Sequence, residues 1–144
     1  MFKKILVPVD GSSTSLQAVA SAVAMAQAFG GKVTAIYVID PYPFTGVGTD
    51  FAYGQDQYLA AATAEAHDAI RIARESIEAG GVPVETSVVE AHSVWRGILD
   101  AATAMEADIV IMGSHGRHGI EKLLGSVAQR VLSHAHLPVM VVRA

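Results

Sequence analysis

The stretch from Gly113 to Ser126 concentrates the residues best able to do chemistry. Gly113 and Gly116 let the backbone take positive φ and come close to a ligand. Gly125-Ser126 stands where a helix begins, and the free N–H groups and dipole of a helix start favour an anion. Ser126 adds a hydroxyl donor. Arg117, His118 and Lys122 lie between as sources of positive charge, and the planar guanidinium of Arg117 suits a phosphate bidentately. Together these residues describe a phosphate cradle. A strand-to-helix turn followed by an ordinary helix cap calls for the same residue types, so both readings stand at this point. Asp10-Gly11-Ser12 is the second candidate, either as a turn and helix cap or as a carboxylate bordering a ligand.

Other chemistries find less support. His115 and His118 are three apart, and His134 and His136 two apart. Neither pair has a third ligand obviously placed to complete a metal site, so none is expected. His67 and His92 are expected to face solvent. The chain has no cysteine, which removes disulfides and thiolate metal sites and suits a reducing, cytoplasmic setting. A Gly-x-Ser-x-Gly elbow, a Gly-x-Gly-x-x-Gly after the first strand and a Gly-x4-Gly-Lys-Ser/Thr loop are all absent. These absences argue against a hydrolase nucleophile, NAD and a P-loop. No general base is aimed at a phosphate. We therefore assign no catalytic residue and expect a non-enzyme, with slow hydrolysis in such a site left open.

The elements that must position these residues follow from the apolar pattern. Met1 to Val9 holds a near-continuous apolar run, as a parallel strand covered on both faces would. The run is too short for a signal peptide and ends at Pro8 and Asp10. Leu16, Val19, Ala20, Val23 and Ala26 recur at helical spacing, and Gly30-Gly31 closes that helix. Lys32 to Ile39 reads as a second strand. Asp40 to Gly54, rich in proline, glycine and aromatics, reads as a loop. Tyr37, Tyr42, Phe44, Phe51, Tyr53 and Tyr58 cluster around it. Leu59, Ala62, Ala66, Ala69, Ile70, Ala73 and Ile77 mark one face of a long helix. Val82, Val84, Thr86 and Val88 alternate like an edge strand. Ser93 is placed to cap a helix with Val94, Ile98, Ala102 and Met105 inward; Trp95 covers the sheet or lines a partner surface. Asp108 to Met112 reads as a central strand. Ser126 to His136 reads as a helix with Val127, Val131 and Leu132 on one side, and Pro138 to Arg143 as the last strand.

The order β-α-β-α-β-α-β-α-β implies right-handed crossovers and one parallel sheet. Ligands of such sheets bind beyond the carboxyl ends of the strands, where strand order reverses. The turns after the first and fourth strands would converge there if those strands are neighbours. The 144 residues, 51% hydrophobic and 17% charged, make one folded domain, residues 1–144. With a net charge of −4 there is no basic surplus, so no nucleic-acid partner is expected. The apolar stretch Ala18 to Phe29 is too short to span a bilayer, so no membrane insertion is expected.

Three segments resemble one family. The run Ile109-Val-Ile-Met-Gly113-Ser-His-Gly116 through Gly125-Ser126-Val-Ala-Gln-Arg-Val131 is similar to the nucleotide loop of universal stress proteins. Lys4-Ile-Leu-Val-Pro8-Val-Asp10-Gly-Ser12 resembles that family's first strand, and Pro138-Val-Met-Val-Val142 its last. The resemblance spans essentially the whole chain. It departs from the family's Gly-x2-Gly-x9-Gly-Ser/Thr pattern in the second spacer, Arg117 to Leu124, which is one residue shorter.

The resemblance implies an α/β fold: a single Rossmann-like domain with a five-stranded parallel sheet, order 3-2-1-4-5, and helices on both faces. It places the chain with the members whose glycine loop binds ATP, or the related ADP or AMP, together with Mg²⁺. Pro8, Val9 and Asp10 would border the nucleoside, with Asp10 near the ribose or the metal ion. Val38 would meet adenine through its backbone. Met112, Gly113, His115 and Gly116 would wrap the ribose and phosphates, and Gly125, Ser126 and Val127 would hold phosphate oxygens. Arg117 joins this set on its own chemistry.

The resemblance also implies a homodimer. Leu137 to Arg143 would otherwise be a bare apolar edge, and antiparallel pairing with a two-fold mate would cover it. A further protein partner would read the loops Asp40–Gly54 and Gly113–Leu124. The rival reading is a dimeric interaction module without nucleotide; a slow ATPase or phosphotransferase is a third.

Overall fold

The computed structural model describes residues 1–41, 49–115 and 124–143. Among the described residues nine elements alternate: β1 Lys4–Pro8, α1 Ser13–Phe29, β2 Lys32–Ile39, α2 Thr49–Ala79, β3 Val84–Glu90, α3 Val94–Ala104, β4 Ile109–Gly113, α4 Ser126–His134 and β5 Val139–Val142. The strands form one sheet in the order β3-β2-β1-β4-β5, and every pairing is parallel. The expected architecture is therefore the one observed.

The burial of each strand explains its sequence. In β4, Ile109 and Ile111 enter one core while Val110 and Met112 enter the other. A strand covered on both faces must be apolar at every position, because successive side chains point to opposite faces. In β1, Ile5 and Val7 join the α1–α2 side and Leu6 the α3–α4 side. Helices α1 and α2 contribute Ala18, Val19, Ala22, Ala26, Ala69, Ile70, Ala73 and Ile77 to the first core. Helices α3 and α4 contribute Ile98, Ala102, Ala128 and Val131 to the second.

Several local expectations need correction. Helix α2 begins at Thr49, inside the stretch read as a loop. A lone glycine such as Gly54 costs a helix only about 1 kcal/mol, and the polar Gln55-Asp56-Gln57 after it hides the apolar period without breaking it. Phe51, Tyr53 and Tyr58 thus belong to α2, Tyr37 lies in β2, and Tyr42 and Phe44 lie outside the described residues. In α1 the buried stripe is Thr14, Ser15, Ala18, Val19, Ala22 and Ala26, while Leu16 is 40% exposed. An alanine-rich helix has little apolar asymmetry, so close approach to the sheet, rather than side-chain size, selects the inward face. In α4 Ala128 and Val131 are buried and Val127 packs half-buried against the same core, as expected of Val127 and Val131, whereas Leu132 is 44% exposed. That helix also ends at His134, two residues short of the expected limit. Ser93 occupies the N-cap position of α3 but makes no capping bond with its side chain.

Asp108 fastens the amino ends of the two central strands. Its Oδ2 accepts the backbone N–H groups of Lys3 and Lys4, each at 2.9 Å, and its own N–H donates to the Lys4 carbonyl at 2.8 Å. The bond from the Lys4 N–H, followed by that from Lys3 and the nearby positive charges, holds the carboxyl below its ordinary value of 3.8. A depressed carboxyl contributes stability above its unfolded pKa and loses it as pH falls through the folded one. Asp108→Asn is therefore expected to be less stable than the native chain at about pH 6, with a smaller gap at about pH 3. Urea unfolding at the two pH values measures the difference.

Candidate functional site

Strand β1 leads outward to β2 and then β3, whereas β4 leads to β5 on the other side. The sheet therefore reverses direction between β1 and β4, and a cleft opens beyond their carboxyl ends, as such reversals produce. A cavity of about 500 Å³ lies there, within the range that accommodates a small ligand.

The first part of its wall is the turn after β1. One Asp10 carboxylate oxygen accepts the Ser12 N–H at 2.9 Å, and Ser12 caps α1 by accepting the Ser15 N–H at 3.2 Å. Asp10 lines the cavity as well, so the capping and ligand-facing roles coexist. The second part is the start of α4. Its first-turn N–H groups have no partner within the helix, and no acidic residue occupies that turn. Gly125, Ser126 and Val127 line the cavity there. Val38, Val94, Ile98 and Met112 supply apolar lining to the same cavity, which we call the apolar slot.

The packing around the glycines is tight before any ligand enters. A Cβ on Gly113 would sit 3.0 Å from the backbone carbon, Cβ and Oγ1 of Thr14. One on Gly125 would sit 3.0 Å from the Cα of His115 and the carbonyl oxygen of Ser114. The Gly125 N–H donates to that same carbonyl at 2.6 Å. The end of β4 and the start of α4 thus approach so closely that a side chain there would require its neighbours to give by a few tenths of an ångström.

Pro8, Val9, Asp10, Val38, Met112, Gly113, His115, Gly125, Ser126 and Val127, drawn from both ends of the sequence, all line this one cavity. Gly116 and Arg117, with His118 and Lys122, lie outside the described residues. Ser15, Tyr37, Val94, Ile98, Ser114 and Ala128 line it too and were not anticipated. Val94 and Ile98 had a legible signal, since they are four apart on the first turns of a helix. Ser114 occupies a position where the loop pattern accepts any residue. It is fully buried, and among the described residues its hydroxyl has no hydrogen-bond partner. His134 stacks on Trp95 with ring centroids 4.3 Å apart. Its Nδ1 lies 2.8 Å from the Arg130 carbonyl, away from the cavity. Among the described residues no group of three histidines or carboxylates gathers in metal-binding fashion.

The family model of the universal stress proteins matches residues 1–143. The chain belongs to that family. A universal stress protein of Methanocaldococcus jannaschii is 37% identical to it over 99% of this chain and 83% of its own length. The universal stress protein UspA of Lactobacillus plantarum superposes with a TM-score of 0.87, at 28% identity, covering 99% of this chain and 98% of that one. Two more distant universal stress proteins share the fold and were solved with nucleotides. One is in complex with cAMP (TM-score 0.70, 24% identity, covering 99% of this chain and 97% of that one). The other, from Archaeoglobus fulgidus, is in complex with dAMP (TM-score 0.73, 23% identity, covering 99% of this chain and 100% of that one).

The packing around the glycines of this universal stress protein gives a direct test. Gly125→Ala is expected to destabilise the ligand-free chain by about 1–3 kcal/mol, the usual cost of overpacking against atoms that cannot yield. Urea unfolding without nucleotide measures it; an unchanged midpoint would assign the glycine to the ligand instead.

Proposed function

We propose that this chain is an ATP-binding member of the universal stress proteins, of the glycine-loop subgroup, and acts as a cytoplasmic stress-response or regulatory protein. The observation that carries the reading is the composition of the cavity at the sheet's reversal. An apolar slot of Val38, Val94, Ile98 and Met112 lies beside a helix start with a hydroxyl, Gly125-Ser126. That is the polarity of an adenine nucleotide: a flat apolar base at one end and an anion at the other. The complexes of two related folds with cAMP and dAMP support the same ligand class.

In this reading the base enters the slot, with the backbone of Val38 at its edge. The ribose lies against Pro8, Val9 and Asp10. The phosphates meet the N–H groups of Ser126 and Val127 and the Ser126 hydroxyl. Mg²⁺ bridges phosphate oxygens and needs few protein ligands, and Asp10 is the one carboxylate among the described lining residues. The chain binds without rapid turnover, and the nucleotide favours one state of the flanking loops, which a protein partner reads. The reading predicts adenine nucleotide released on denaturing the purified protein, and saturable calorimetric binding of Mg²⁺-ATP. Ser126→Glu, which sets a negative charge at the anion end, is expected to weaken ATP at least about tenfold. A native chain that binds none of ATP, ADP or AMP would leave the interaction module in its place, and measured ATP turnover would leave the enzyme.

The same proposal makes the chain a homodimer through β5. Among the described residues only β4 pairs with this strand, at one end of the sheet order. Met140 is 38% exposed on it, the kind of apolar edge that a two-fold mate covers. Met140→Lys is expected to shift sedimentation from dimer to monomer; an unshifted dimer would place the interface elsewhere.

A further inference from the structure

The anion end of the cavity is hung on a residue that no element of the glycine loop contains. Thr14, in the first turn of α1, is fully buried, and its hydroxyl donates to the His115 carbonyl at 2.7 Å across 101 positions of sequence. The Ser12 hydroxyl, already engaged in capping α1, lies 3.3 Å from the same Thr14 oxygen. Thr14 also fills the space that the missing side chain of Gly113 leaves open. One step along the chain, the Ser114 carbonyl accepts the Gly125 N–H at 2.6 Å and so fixes the start of α4.

The two carbonyls that follow β4 are therefore both tied down, one by α1 and one by α4. This matters for an anion. A carbonyl oxygen turned towards phosphate repels it, whereas N–H groups and hydroxyls attract it. A peptide is planar, so holding its oxygen also holds its orientation. Thr14 Oγ1 is an acceptor as well as a donor, and its proton is committed to His115.

We propose that Thr14 is a positioning residue for phosphate: its hydroxyl holds the His115 carbonyl against α1 and so keeps the entrance of α4 open to the anion. The inference rests on the nucleotide reading above and adds to it a control point on α1. It predicts a split between phosphate and nucleoside. The base slot does not depend on the His115 carbonyl, so only ligands with phosphate feel the loss.

The experiment is calorimetric titration of Mg²⁺-ATP, Mg²⁺-ADP and adenosine into the native chain, Thr14→Val and Thr14→Ser, with a melting curve for each. Thr14→Val keeps the volume and removes the donor. It is expected to weaken ATP and ADP about tenfold, the scale of one lost hydrogen bond to a polar site, and to leave adenosine unchanged. Thr14→Ser keeps the donor and is expected to restore ATP binding. Thr14→Cys, near in volume with only a weak donor, is expected to show the same split and serves if the valine chain does not fold. Equal weakening of adenosine and ATP, or native ATP affinity in Thr14→Val, would overturn the role of Thr14 while leaving the nucleotide site standing. A native chain that binds neither ATP nor adenosine would overturn the nucleotide reading and this inference with it.

Discussion

Everything distinctive about this molecule depends on β1 lying beside β4. The two strands are separated by most of the chain, yet they pair in parallel, Ile5 opposite Ile109 and Leu6 opposite Val110. That adjacency reverses the direction in which the sheet grows. It sends α1 and α2 to one face and α3 and α4 to the other, and leaves a cleft where the two halves part. The pairing itself is short, so it is reinforced at both ends. Asp108 gathers the N–H groups of Lys3 and Lys4 at the amino end. Thr14 reaches the His115 carbonyl at the carboxyl end. Loss of the first loosens the sheet; the second shapes the site.

The same atoms serve packing and chemistry. Gly113 and Gly125 lack side chains because Thr14, Ser114 and His115 occupy the space. The close approach that this permits brings the start of α4 to the cleft, where its N–H groups can meet an anion. Asp10 shows the same economy, bonding Ser12 with one oxygen while bordering the cavity. A glycine in such a loop is thus weak evidence for a ligand by itself. The stronger evidence is the company it keeps, an apolar slot and a helix start sharing one cavity.

Much of this was legible in the residues. Continuous apolar runs identify β1 and β4 as strands buried on both faces, because no polar side chain could be accommodated on either side. The sheet order and most of the cavity lining came from the resemblance of the loop and strand segments to a family pattern. What was not legible has physical reasons. The inward face of α1 is ambiguous because alanine contributes too little asymmetry, and Leu16 turns outward. The start of α2 is hidden by Gly54 and the polar residues after it. Ser114 gives no signal because its importance lies in a buried hydroxyl without a partner among the described residues.

By itself, then, the sequence determined the succession of strands and helices, their apolar faces in the central strands, and the residue types gathered after β1 and β4. These are local properties, set by periodicity, turn chemistry and the need to bury apolar surface. Which of those residues meet is set by how the elements pack on one another. The contact of Thr14 with His115, the close approach of Gly125 to Ser114 and the gathering of Val38, Val94 and Ile98 around one cavity depend on distances between elements far apart in the chain. Such distances follow from how helices settle on a twisted sheet, and no pattern within one element records them.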